Sequence, residues 1–446
     1  MKKFFCCAAA AAALAVTADE RLYTDNFTNS VWRVINTRQQ AETKDRTLRL
    51  PDDRTYFRTV PKIFPWGAKI RFSIEKTDAG PYRIGFIVYP EEAGKKAPRM
   101  MSPELSGAGS FTAEVPVRAR SVGLIVQGRG VYRKAELVRL FDPAFRLEAD
   151  PAYQLVSGEP APFRFRLFRN DREVPDAEIR RNGPDAVHPA SGATAHAFID
   201  KGDPAPFDAV ARKIKIDKPV NLLYLGDSLT FFDLGHNHAD KVGYFLDKYN
   251  PGKVKIWNYA CGGDHISRVI QRLNGKGFKP GENRYRDLWS RHYDWAVVFL
   301  GHNDTKASSA KGYREVLVPP ARQKELYTQL IAELRKRGVK RIILFSPTSS
   351  NFEICDAVAK KTKRLHNRFG EPKHLEAFDR VLRTLARENK VEYLDLYTDM
   401  KALPDKAALT RPQDGVHLTD RGHDYVALKT LTYLRDTQTA APSEVH

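Results

Sequence analysis

The chain has 446 residues, 42% of them apolar, with 73 Lys and Arg against 54 Asp and Glu and a formal charge of +19. This length exceeds one ordinary core and predicts two or three domains, and no apolar run is long enough to span a bilayer. The basic excess is spread among acids, with no dense basic block, zinc-finger spacing or RNA-binding signature, which argues against nucleic acid as a partner. It reads as a solvated surface, or as attraction toward anionic polymers outside the cell, such as uronate-containing or sulfated glycans.

Residues 1–18 read as a cleaved secretory signal. Lys2 and Lys3 precede an alanine-rich apolar block that ends in the small residues of Ala15-Val16-Thr17-Ala18. A secreted or periplasmic protein is expected. Cys6 and Cys7 fall too early in that block to anchor a lipid, which leaves Cys261 and Cys355. Two cysteines are no disulfide framework, so stability must come from packing whether or not they pair.

Over residues 19–145 the dominant period is two. Ile70, Phe72 and Ile74 alternate with polar neighbours, and turns such as Asp78-Ala79-Gly80-Pro81 separate the runs. A jelly-roll-like β-sandwich is predicted. Trp32, Trp66, Tyr82 and Tyr89 are candidates either for a sugar-stacking platform or for core. Residues 146–214 are richer in Pro, Gly, Asp and Arg, yet Phe163-Arg164-Phe165-Arg166-Leu167 alternates cleanly. A small β module, or a linker, is expected there.

From 215 to 438, before a tail at 439–446, strands alternate with helices. Val220–Gly226 is a continuous apolar run that reads as a buried parallel strand. Strands follow at 253–259, 295–300, 341–345 and 391–396, with helical patterns near 265–273, 322–336, 375–389 and 420–434. This grammar specifies a doubly wound five-stranded parallel sheet with helices on both faces.

The chemically suggestive residues of this domain fall just after strands, at the edge where open α/β sheets bind ligands. Gly226-Asp227-Ser228-Leu229 follows the first strand, Gly262-Gly263-Asp264 the second, Gly301-His302-Asn303-Asp304 the third and Asp414-Gly415-Val416-His417 the fifth. Ser228 is a candidate nucleophile, His417 its base and Asp414 the carboxylate that orients the imidazole. The Ser228 and Gly263 N–H groups and the Asn303 amide are candidate oxyanion donors. An α/β-hydrolase elbow is excluded, because Thr230 stands where Gly-x-Ser-x-Gly needs its second glycine.

Four such blocks in this order resemble the SGNH, or GDSL, hydrolases over roughly residues 218–435. The resemblance implies ester hydrolysis through Ser228, Gly263, Asn303 and His417, with no cofactor. His236-Asn237-His238-Ala239-Asp240 has a metallohydrolase-like spacing, but Lys241 follows it, and no metal is expected. His236, His238 and also His302 are instead expected to line the substrate cleft. The favoured reading is a secreted serine esterase that removes small acyl groups, acetyl first, from a carbohydrate. A lipase, thioesterase or lysophospholipase would need an extended apolar groove. A glycan-binding protein with an inactive hydrolase domain would be hard to reconcile with the intact set of four residues.

Overall fold

The computed structural model describes residues 18–25, 32–34, 41–60, 63–91, 96–276, 284–362 and 365–438. Apart from Ala18, the expected signal segment lies outside them, as does the tail from 439. The chain divides into two compact units, Met1–Ala152 with Pro162–Ala197, and Tyr153–Ala161 with Phe198–His446.

In the first unit two antiparallel sheets face each other. One contains Glu42–Lys44, Thr47–Leu50, Gly130–Phe141, Lys69–Lys76 and Ala108–Glu114, with Ala18–Asp25 also paired to Gly130–Phe141. The other runs Arg33–Val34, Thr55–Val60, Ala119–Gln127, Arg83–Pro90, Arg99–Met101. Alternation does the sorting. Ile70, Phe72 and Ile74 point inward from one sheet and Ile84, Phe86 and Val88 from the other, into a shared core with Trp32 and Tyr56. The four aromatics therefore form no common platform. Trp32 is wholly buried and Tyr82 nearly so, its hydroxyl donating to Gly107 O at 2.9 Å. Trp66 lies under the Arg180 guanidinium.

Two small three-stranded sheets follow. Phe145–Asp150 pairs with Arg164–Arg169 and that with Arg172–Val174, while Asp185–His188 lies between Arg180–Asn182 and Ala193–His196. Their core is slight, built around Leu147, Phe165 and Leu167. The segment expected as one module at 146–214 is split between the units. Tyr153–Val156 pairs in parallel with Phe198–Lys201, and Tyr153 and Leu155 are buried in the α/β core, with Phe207 of the helix Ala205–Ala211. The second unit thus begins before residue 215, because a four-residue strand among Pro, Gly and Asp carries too short a period to announce its partner.

The second unit is a doubly wound parallel sheet ordered Val254–Asn258, Val220–Gly226, Trp295–Phe299, Arg341–Phe345, Glu392–Leu394. Successive residues of the first strand feed opposite faces. Leu222 and Tyr224 join Val242 and Phe245 of His238–Tyr249 and Val426 and Leu431 of Asp420–Thr437. Leu223 and Leu225 join Val269, Leu330 and Leu382 from Ile266–Leu273, Pro320–Lys336 and Pro372–Asn389. In sequence order this is 2-1-3-4-5, so connections diverge from the first strand to either side. The crevice at the carboxyl ends of the first and third strands is the topological switch point. Among the described residues no helix is long and apolar enough to cross a membrane.

Candidate active site

The first strand must end in glycine. A Cβ at Gly226 would come within 2.8 Å of Thr230 Oγ1 and 3.1 Å of Phe299 O. Asp227 then caps the one-turn helix Ser228–Phe231. Its Oδ1 accepts the Leu229 N–H at 2.9 Å and its Oδ2 accepts from Asn303 Nδ2 at 3.3 Å. Burial pushes the Asp227 carboxyl up to about 6. Ser228 is the first residue of that helix, so its N–H has no intrahelical acceptor.

The loop after the fifth strand brings the base. His417 Nε2 lies 2.9 Å from Ser228 Oγ, and His417 Nδ1 lies 2.8 Å from Asp414 Oδ2. Asp414 Oδ1 accepts the Val416 and His417 N–H groups, each at 2.8 Å. A carboxylate on Nδ1 keeps the proton there and leaves Nε2 to accept from the serine hydroxyl. Burial alone would raise the Asp414 carboxyl, but the His417 ring and the two amides together hold it below its usual range. Arg411 secures the loop: its N–H donates to His417 O at 2.7 Å, its Nε to Leu418 O at 3.0 Å, and its guanidinium pairs with Asp233.

On the other side, Cys261 N–H donates to Gly226 O and Asp264 N–H to Cys261 O, both at 3.0 Å, which ties the glycine turn to the nucleophile strand. Gly263 has φ +80°, a conformation that favours glycine. Asp264 is held by Arg272 at 2.7 and 3.1 Å. Lys306 Nζ donates to Asn303 Oδ1 at 3.1 Å, which fixes the amide with Nδ2 as the donor end. Asp304 Oδ1 accepts the Ile266 N–H at 3.0 Å, and burial pushes this carboxyl up to about 7. The structure thus brings Ser228, His417 and Asp414 into one hydrogen-bonded chain, with Asn303 one contact away through Asp227.

Two of the three expected cleft histidines, His238 and His302, need correction. His238 has no exposed surface. Its Nε2 meets Thr230 Oγ1 at 3.2 Å, its backbone N–H donates to His423 Nδ1, and burial holds it well below the imidazole range. His302 is 2% exposed and directed to Thr348 Oγ1 at 3.1 Å; burial, with repulsion from His417, lowers it to about 4. Both sit beneath the site, inside the unit, where a period of alternate residues cannot distinguish facing the cleft from facing the core. His236 keeps an exposed edge, with Nδ1 on Asp200 Oδ1 at 2.5 Å. Asp200 also accepts from Tyr153 OH at 2.9 Å. The metal-like spacing has a local cause. Asn237 and Asp240 form a capping box at the start of His238–Tyr249, and among the described residues no three His, Cys, Asp or Glu side chains gather as metal ligands.

Lys306 and Arg411 went unread in the sequence, as did Phe232, whose ring centroid is 4.8 Å from that of His417. An exposed aromatic directly after the nucleophile turn was the available signal for the last. Cys261 and Cys355 are both free thiols, and Cys355 Sγ donates to Asp414 O at 3.3 Å.

Residues 224–425 match the model of the GDSL-like lipase/acylhydrolase family. The comparison with curated proteins found no match. Among solved structures the chain is similar to a lipase/acylhydrolase from Enterococcus faecalis, at 16% identity over 51% of this chain and 100% of that one, with a TM-score of 0.37. It is similar to an acetylxylan esterase from Geobacillus stearothermophilus, at 21% identity over 52% and 100%, TM-score 0.37. A protein of Bacillus subtilis is similar at 13% identity over 92% of this chain and 88% of its own, TM-score 0.36.

Proposed function

Residues 224–425 belong to the GDSL-like lipase/acylhydrolase family, a domain that hydrolyses ester bonds, and from that premise we propose a secreted serine esterase that removes small acyl groups, acetyl first, from a carbohydrate. Ser228 Oγ attacks the ester carbonyl while its proton passes to His417 Nε2, and the Asp414 carboxylate stabilises the imidazolium. The carbonyl oxygen, now an alkoxide, takes hydrogen bonds from the Ser228 and Gly263 N–H groups and Asn303 Nδ2. Collapse of the tetrahedral species expels the alcohol, which leaves with the proton from His417. Water, deprotonated by the same imidazole, then frees the acid and restores Ser228.

The observation that carries this reading is the unbroken chain from Ser228 Oγ to His417 Nε2 at 2.9 Å and from His417 Nδ1 to Asp414 at 2.8 Å. A small acyl group suits a nucleophile that keeps only 9% exposure. The carbohydrate part draws support from the signal-like first residues and the β-sandwich. A longer acyl chain has one observation in its favour: Phe232 and Leu234, just past the nucleophile helix, are 38% and 41% exposed.

The test is a panel of 4-nitrophenyl esters of rising chain length beside acetylated polysaccharides. Turnover should be greatest on acetate, with acetate released from the polysaccharide. Preference for long chains would move the protein to the lipase reading, and turnover on none would make it a binding protein.

A further inference from the structure

Three cations surround the candidate oxyanion donors. A Cβ built on Gly263 would lie 3.6 Å from an Arg268 terminal nitrogen. Lys306 Nζ is bonded to Asn303 Oδ1 at 3.1 Å. The Arg284 guanidinium covers the Phe231 ring at 4.7 Å, and that ring is 3.3 Å from where a Gly262 Cβ would stand. Arg268 and Arg284 are exposed, and neither forms an ion pair with an acid among the described residues. The nearby acid, Asp264, is buried and taken up by Arg272 at 2.7 Å.

The placement of Arg268 works against local stability. It lies in the first turn of the helix Ile266–Leu273, where the aligned peptide dipoles disfavour a cation and favour an anion. Lys306 is depressed by burial and further by Arg268, against an opposing pull from Asp227 and Asp304, and Asp264 attracts both arginines from within the unit without forming an ion pair with either. The helix end and the two exposed guanidiniums, unpaired among the described residues, all favour a further negative charge on the outer side of the cluster, which a substrate can bring. A guanidinium fork fits a planar carboxylate with two parallel hydrogen bonds.

We propose that Arg268 and Arg284, backed by Lys306, form a carboxylate-binding subsite beside the acyl site, so that the preferred ester is carried by an acidic sugar, a uronate or its neighbour in the chain. This rests on the esterase reading for its substrate, but its binding arm does not need turnover. The subsite holds the sugar acid while the acyl carbonyl enters the oxyanion site, and the chemistry at Ser228 is unchanged.

The experiment compares O-acetylated tri-galacturonate with the same compound methyl-esterified at its carboxylates. In the wild-type protein kcat/KM should favour the free acid by about tenfold or more at low salt, the effect of losing a charge-assisted contact. In the double variant R268Q/R284Q the ratio should fall toward one, with an unchanged unfolding midpoint as the check on folding. In parallel, the Ser228→Ala protein is titrated by calorimetry with unacetylated tri-galacturonate and with its methyl ester. Binding should favour the acid, and R268Q/R284Q in that background should abolish the preference. A wild-type ratio near one, or a preference that survives the double variant, overturns the subsite. A protein that hydrolyses no ester, 4-nitrophenyl acetate included, fails as an esterase, and the calorimetric ratio alone then decides the subsite.

Discussion

The two units bury different things. The sandwich core is apolar and aromatic, and its buried hydroxyls are satisfied by adjacent turns, as when Tyr132 OH donates to Gly128 O at 2.6 Å. Its buried cation, Lys76, donates to Ala79 O and Gly80 O at 3.0 and 3.1 Å. The α/β unit instead buries Asp227, Asp264, Asp304, His238, His302 and Lys241, with Asp240 partly buried beside them, around the carboxyl ends of its strands. Burial drives three of those carboxyls up to between about 6 and about 7. Such groups oppose stability unless their surroundings hold them. One unit is consistent at every level from alternation to core, and the other departs from that rule where its candidate chemistry lies.

If that contrast is real, substitutions in the two units should have opposite signatures. Ser228→Ala should lower ester turnover at least about a thousandfold while scarcely moving the unfolding midpoint, since the hydroxyl opens no sizeable cavity. Phe86→Ala should do the reverse. Its ring is wholly buried and stacks on Phe111 at 5.8 Å, so its loss should cost about 3–5 kcal/mol, while turnover below the transition stays as it was. Denaturant melts beside kinetics measure both. A Ser228→Ala protein that melts early, or a Phe86→Ala protein with impaired kcat, would break the comparison.

Within the site, Asn303→Ala separates transition-state work from packing. Removal of an oxyanion donor should cost on the order of a hundredfold in kcat, about 3 kcal/mol of barrier, with KM far less affected. Equal damage to KM, kcat and the melting midpoint would make Asn303 structural.

The smallest effect concerns pH. The Asp304 carboxyl is raised by burial from 3.8 to about 7, so between those values the folded chain holds a proton that the unfolded chain has lost. Stability from this group is therefore lost as pH rises from about 4 to about 7. Asn cannot ionise, so Asp304→Asn should show a smaller drop in melting midpoint between pH 5 and pH 8, by a few degrees. A larger drop in the variant would contradict the assignment. Asp227 and Asp240 carry the same sign and remain in both proteins.

Much of this was legible because the α/β unit advertises itself twice. A continuous apolar strand ending at Gly226 fixes both the strand and the turn, and the blocks at Gly263, Asn303 and His417 each follow a strand of the same sheet. The 2-1-3-4-5 order, by contrast, is a tertiary choice that no local period encodes. The fate of Tyr153–Val156 was hidden for the same reason, since its partner Phe198–Lys201 lies beyond an intervening β module. His238 and His302 were misread because motif spacing gives chain position but not depth. Lys306 and Arg411 act through contacts to an amide oxygen and two carbonyls, and residue type alone does not disclose such contacts.

The central claim is that Ser228 is the nucleophile activated by His417, and covalent capture tests it most directly. The protein is treated with an alkyl fluorophosphonate and its mass and peptide map are read by mass spectrometry. A single phosphonyl group should appear on the peptide bearing Ser228, in step with loss of esterase activity. In His417→Ala the labelling should be slower by several orders of magnitude, because nucleophile and base act as one unit. Activity that survives full labelling of Ser228, or inactivation with the adduct on another residue, would contradict it.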